Sequence, residues 1–360
     1  MGKLLALALA LMCCTASAQT AEQSLEQLIA AAQREGKVVV MGPPDPEVRR
    51  ALPAAFKARY GVAVEYIGSR SSETASRMRN ERSAGVYTAD VVFGGSDTMA
   101  SVYYREKMLA PIRPILFMPE VLDRTKWRKG DLWFTDPDNI YVLRLFNSVG
   151  PSFFINTDLV KPGDLASVKN LLDPKWKGRI SVSDPTVGGS GIGQATRLYL
   201  QLGEAFVKGI YIDQKPMVSR DRRQLTDWLA RGTYPISLDA DEDQLLQMTK
   251  EGFPVQPVYN IVGLPSTLSA GVGQVGLVDR APHPNAAKLF INWIASKEGL
   301  EIYSRTRGEA PTRSDIDASA YLSAQSIPQP GVNYVDTHDW SFATTHRLRV
   351  MAIMKEMMKK

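Results

Sequence analysis

Three times within the first hundred or so residues, a short β-type run ends in a turn of small polar residues, and each turn opens a helix-spaced segment. Lys37 to Met41 carries Val38-Val39-Val40 and stops at Gly42-Pro43-Pro44-Asp45. Asp45 is placed to cap the next helix, with Pro46 at its first position and Gly61 beyond its end. Val62 to Ile67 leads into Ser69-Arg70-Ser71-Ser72 and a helix to about Ala84. Asp90 to Phe93 ends at Gly94-Gly95-Ser96-Asp97 before a helix from Thr98. A βαβαβ order of this kind gives a parallel sheet with helices on both faces, and ligands bind outside the carboxyl ends of such strands. Pro44, Ser69, Arg70, Ser71, Ser96 and Asp97 are therefore the candidate ligand-binding residues of this region.

A second α/β region is organised around Trp176 to Gln194. Arg179 to Ser183 reads as a buried strand that Asp184-Pro185 stops. Glycines and Ser190 then form a turn, and Ala195, Leu198, Tyr199 and Leu202 continue with helical spacing. Backbone N–H groups at such a helix start favour a small anion, so Thr186, Ser190 and Gly191 form a candidate anion site. The competing reading is a helix start capped by Ser190, with glycines needed only for the turn. Tyr234 to Leu238 reads as a strand running into Asp239-Ala240-Asp241-Glu242-Asp243. Asp239 and Asp241 are candidates for a ligand hydroxyl or amine; the alternative places these acids at a helix N-terminus. Phe153-Phe154 reads as core. Ser24 to Glu35 reads as a helix with a Ser24/Gln27 capping box, Pro284 to Ile294 as an amphipathic helix, and Ser341 onward as a closing helix.

Met1-Gly2-Lys3, the apolar run Leu4 to Met12 and Ala16-Ser17-Ala18 have the order of a secretory signal peptide. Cleavage is expected after Ala18, giving a soluble periplasmic protein that begins at Gln19. Cys13 and Cys14, the only cysteines, would leave with the leader, so disulfides and thiolate chemistry are excluded. A lipid anchor at Cys13 or Cys14 is the competing reading. The formal net charge of +5 is mild, Lys3 supplies one unit of it, and no basic block points to nucleic acid. Apart from the leader, no stretch is long and apolar enough to span a bilayer. The remaining length exceeds what one core usually serves, so two lobes are expected.

The chain resembles the periplasmic substrate-binding proteins of ABC importers, in the group that includes ferric-ion and related anion binders. The likeness rests on AAQREGKVVV at Ala31–Val40, ADVVFGGSD at Ala89–Asp97, INTDLVK at Ile155–Lys161 and LLDPKWKG at Leu171–Gly178. RGTYPI at Arg231–Ile236, LLQMTKEG at Leu245–Gly252 and APHPNAAKLFINWIASKEG at Ala281–Gly299 complete it. The resemblance implies a type II periplasmic-binding fold: two α/β lobes joined by a two-strand hinge, with the ligand in the interlobe cleft. The expected division is a leader over 1–18, a first lobe from 19–115 and 263–320, a second lobe from 116–262, and a C-terminal segment, 321–360, packing on the lobes. A membrane permease and an ATPase are the implied partners of an expected monomer.

One departure bears on the ligand. Ferric members of the group hold metal through adjacent second-lobe tyrosines, whereas the only adjacent pair here is Tyr103-Tyr104 in the first lobe. Tyr199 and Tyr211 stand alone, and His283, His338 and His346 all lie late. No metal site and no cofactor are therefore expected, and the favoured ligand is a small organic anion: a carboxylate, phosphonate or phosphate. Ferric-ion binding, presentation of a ligand to a membrane sensor, and a periplasmic enzyme are the alternatives. Gly271-Val272-Gly273-Gln274-Val275-Gly276 matches a dinucleotide fingerprint in letters but precedes a strand instead of opening a helix. Gly94-Gly95-Ser96 and Gly189-Ser190-Gly191 lack the second glycine of a nucleophile elbow, and no base–nucleophile pair is evident.

Overall fold

The computed structural model describes residues 25–359; the leader, both cysteines and Ser24 of the expected capping box lie outside them. The chain divides into two units. Residues 25–148 with Ala270–Ile327 form the first, and Val149–Ser269 with the chain from Pro328 onward form the second.

In the first unit, β1 (Lys37–Gly42) pairs in parallel with β2 (Ala63–Gly68) on one side and β3 (Val91–Gly94) on the other. β13 (Gln274–Val278) then joins β3 antiparallel and pairs the same way with β4 (Leu109–Ala110) and β5 (Val142–Arg144), so the sheet is mixed and not wholly parallel. Side chains alternate across β1 as strand geometry demands. Val38 and Val40 enter a core with Phe56 and Leu52 of the helix Pro46–Tyr60, and with Phe290 and Trp293 of the helix Pro284–Ala295. Met41 packs on the opposite face with Met78 of the helix Ser71–Ser83, and with Met99 and Tyr103. Both faces are covered, as parallel strands require.

Asp90 locks this arrangement from inside. It is fully buried and accepts from the Val39 N–H at 2.7 Å, from the His283 N–H at 2.7 Å and from His283 Nδ1 at 2.8 Å. The segment 116–148, expected in the second lobe, belongs to the first unit. Leu116, Met118, Val121, Trp127, Leu132 and Phe134 are buried in the first core, and that burial fixes their allegiance. Met99–Tyr104, read as continuing an α-helix from Thr98, is wound as a π-helix.

The second unit has a five-stranded sheet in the order β11 (Val255–Val258), β7 (Phe153–Asn156), β10 (Ile236–Ser237), β8 (Ile180–Ser183) and β9 (Met217–Ser219). β10, β8 and β9 run parallel, and β7 runs antiparallel to β10 and β11. A small three-stranded sheet holds β6 (Ser148–Gly150), β12 (Thr267–Ser269) and β14 (Val335–Asp336). Phe153 and Phe154 are buried, as expected. The helix Ser190–Lys208, interrupted at Gly203, is covered by the C-terminal helix Arg347–Met357, whose Val350 and Met354 are buried in the same core.

Candidate functional site

β8 and β10 lie side by side and parallel, so their carboxyl ends open on one edge of the second unit. After β8 the chain turns through Asp184-Pro185-Thr186 and starts the helix at Ser190; after β10 it passes Asp239 and starts the helix Glu242–Lys250. A cavity of about 240 Å³ sits at this edge. Its polar lining includes Ser190, Gln194, Arg222, Asp239, Thr267 and Arg347, and Phe154 and Leu238 supply apolar wall.

The helix start faces the cavity through Ser190 and Gly193. The first N–H groups of a helix have no acceptor within it and sit at the positive end of its dipole. Ser190 does not cap the helix: Gly189 holds the cap position at φ 137°, where a side chain would be strained. Arg222 adds positive charge, with its Nε 3.4 Å from Asp239 Oδ1. Asp239 itself is only 8 % exposed, and its Oδ2 is buried with no hydrogen-bond partner among the described residues. Burial, and then the Asp239 charge, push the phenol of Tyr211 far above its ordinary range.

Ser190 and Asp239 are thus brought together, but the other second-unit candidates take structural roles. Thr186 gives both its N–H and its hydroxyl to Asp184 Oδ1, at 2.8 and 2.6 Å, which closes the turn locally. Gly191 is buried where a Cβ would lie 2.6 Å from the Asp184 carbonyl oxygen, so it lets the helix start approach β8. Asp241 caps its helix, accepting from the Gln244 N–H at 3.2 Å. Asp241 thus stands at a helix N-terminus, and Asp239 lies two residues ahead of it in the cavity wall.

In the first unit, the turns after β1 and β2 are joined by the Ser69 N–H donating to the Gly42 carbonyl at 3.0 Å. The Ser69 hydroxyl pairs with that of Thr74 at 2.5 Å, while Pro44 and Arg70 are exposed and Ser71 is half-buried as the first helical residue. After β3, Ser96 is buried and accepts from Gln274 Nε2 at 2.9 Å, and Asp97 is exposed. Gly271–Gly276 runs from a turn into β13, which has no dinucleotide geometry. Among the described residues no three His, Cys, Asp or Glu side chains cluster as metal ligands.

Sequence reasoning missed Arg222, Gln194, Thr267 and Arg347. Arg222 opens a helix that Asp221 caps, and nothing in its local pattern marks it as facing Asp239. Arg347 reaches the cavity only because its helix packs on another one far away in sequence.

Two α/β units, each with candidate residues at parallel strand ends, define a type II periplasmic-binding architecture. Residues 42–301 match the model of the bacterial extracellular solute-binding proteins, and the chain belongs to that family. Its members bind small molecules and work with the permease and ATPase of ABC importers. A Haemophilus influenzae protein described as uncharacterized is 26 % identical over 259 residues, 69 % of each chain. Among solved structures, ferric iron-binding protein A of Mannheimia haemolytica, in an open conformation, superposes with a TM-score of 0.67 at 16 % identity. That match covers 90 % of this chain and 98 % of the other. Iron-bound HitA of Pseudomonas aeruginosa gives 0.62 at 15 % identity, covering 89 % and 99 %. AfuA of Actinobacillus pleuropneumoniae, with fructose-6-phosphate bound, gives 0.61 at 19 % identity, covering 90 % and 99 %. At these identities the solved structures speak for the fold alone.

Proposed function

We propose that this protein captures a small organic anion, a carboxylate, phosphonate or phosphate, in the cavity of its second unit and delivers it to an ABC permease and its ATPase. One observation carries the reading: a helix start, a hydroxyl and two guanidinium groups, Arg222 and Arg347, line one cavity. Charge-assisted hydrogen bonds from such donors are the strong ones, and a few of them reach the roughly −8 kcal/mol of micromolar binding. Pro44, Ser69, Arg70, Ser71, Ser96 and Asp97 are proposed to contribute ligand contacts of their own.

Mass spectrometry of what copurifies with the protein, followed by calorimetry on Ser190→Leu, tests this. The expected molecule is an anion, and its affinity falls in the variant while the fold persists. A neutral or cationic ligand overturns the reading. Capture is proposed to occur in the periplasm by a soluble, monomeric chain beginning at Gln19; N-terminal sequencing that returned Met1, or a lipidated cysteine, contradicts this.

Ferric ion is the less favoured cargo: the second unit has no tyrosine pair adjacent in sequence, Tyr211 is buried in the core, and a hard cation needs several converging anionic oxygens. A one-to-one ferric titration with a tyrosinate charge-transfer band is the result that would restore iron.

A further inference from the structure

The cavity is completed by a part of the chain that lies beyond the family match. That match ends at residue 301, yet Thr337 and Arg347 stand in the cavity wall. The helix Arg347–Met357 is fastened to the second core by Val350 and Met354. This packing sets the Arg347 guanidinium against the first turn of the helix at Ser190. A Cβ on Gly193 would lie 2.6 Å from its Nη2 and 3.7 Å from its Nε. Gly193 is therefore the residue that admits the cation to the helix start.

Asp239 is of the opposite sign in the same cavity. Its Oδ1 faces Arg222, while Oδ2 is buried without a donor among the described residues. A desolvated carboxylate oxygen left unpaired is costly, and a ligand N–H or O–H reaching it would relieve that cost. The volume, about 240 Å³, is that of roughly eight waters, enough for an anionic head and one neighbouring polar group.

We propose that the ligand is an anion that also carries a hydroxyl or amine a few atoms away. Arg347 and the helix start take the anionic group, and Asp239 Oδ2 takes the donor. The C-terminal segment thereby contributes affinity for the anionic group through Arg347, and Asp239 contributes the discrimination. This rests on the cavity being the anion site. A site built around a buried acceptor rejects analogues that lack the donor far more strongly than an apolar pocket rejects a missing methylene.

Calorimetry and thermal shift at pH 8 on the full chain test it with matched probes. Malate and aspartate are set against succinate, glycerol 3-phosphate against ethyl phosphate, and glycerol and putrescine serve as uncharged and cationic controls. The expected result is binding of one donor-bearing anion at least 10-fold tighter than its donor-free match. Asp239→Asn collapses that preference, read as the ratio of the two affinities in the variant against the same ratio in the parent. Arg347→Gln weakens both anions by about 10- to 100-fold, with an unchanged circular dichroism spectrum showing that the fold persists. Equal binding of the matched anions, or a preference that survives Asp239→Asn, overturns the proposal and leaves the anion site standing. A response only to glycerol or putrescine, or to none of the probes, overturns the anion site and the proposal with it.

Discussion

Arg197 donates from Nη2 to the Ser152 hydroxyl at 3.1 Å and from Nη1 to the Ser152 carbonyl at 3.4 Å, and the same guanidinium reaches the Pro265 carbonyl. Arg197 is 1 % exposed, and burial pulls its guanidinium below the ordinary range. Among the described residues its charge is met by carbonyl and hydroxyl oxygens and no carboxylate. One side chain thus ties the helix Ser190–Lys208 to the segment after β6 and to the segment before β12.

Arg197→Lys is expected to destabilise the protein by roughly 2–4 kcal/mol. Lysine keeps the charge but offers no planar fork, so at least one buried acceptor is left unmet. Urea unfolding of the variant beside the parent measures the difference; a loss within 0.5 kcal/mol (about the surface-substitution range) would contradict the clamp.

Asp45 supplies an acid-sensitive contact in the first unit. It caps the helix Pro46–Tyr60 by accepting from the Glu47 and Val48 N–H groups at 2.9 and 3.1 Å, and it meets Arg307 at 2.5 Å. Burial pushes its carboxyl up, but the Val48 N–H and then Arg307 outweigh that and hold it below its ordinary range. A depressed carboxyl contributes stability above its unfolded pKa of about 3.9, and that contribution is lost as pH falls through the folded value. Asp45→Ala should therefore cost about 1–2 kcal/mol at pH 7, and the gap to the parent should close as pH drops below about 4. Thermal melts of both proteins across that range check the convergence. A gap that persists at pH 2 would contradict it.

How much of this was legible in the sequence depends on how local each signal is. Asp45, Pro46 and Gly61 marked a helix at both ends because cap chemistry is carried by adjacent residues. β13 was found at Gln274–Val278 from its apolar run, but its antiparallel pairing with β3 was not, since pairing partners are far apart in sequence. Ser190 and Asp239 could be placed at strand ends by composition. Which neighbouring acid points into the cavity and which caps a helix is decided by one residue of backbone, and the sequence does not resolve Asp239 from Asp241. Arg347 lay beyond any local reading, because its place depends on Val350 and Met354 packing against a helix about 150 residues earlier.

Gly191 and Gly193 lie two positions apart on one helix and should answer alanine in opposite ways. At Gly191 a Cβ would stand 2.6 Å from the Asp184 carbonyl oxygen and 2.7 Å from that of Ser183. Both are backbone atoms at the end of β8 and cannot move aside cheaply. Gly191→Ala is expected to destabilise by about 1–3 kcal/mol, read as a lowered thermal midpoint. An unchanged midpoint would mean that the helix start is looser than this geometry.

At Gly193 the obstacle is the far end of one flexible side chain, Arg347, at 2.6 Å from the added Cβ. The guanidinium can swing away, so the clash is relieved by motion of that group and not of the backbone. Alanine also favours a helix interior over glycine by up to about 1 kcal/mol. Gly193→Ala is therefore expected to leave the thermal midpoint unchanged or slightly raised. Its anion affinity should fall by about 10-fold, because the cation has left the helix start. Measured together, midpoint and affinity separate a binding role for Arg347 from a packing role. A packing role would lower the midpoint and spare the affinity; a binding role does the reverse.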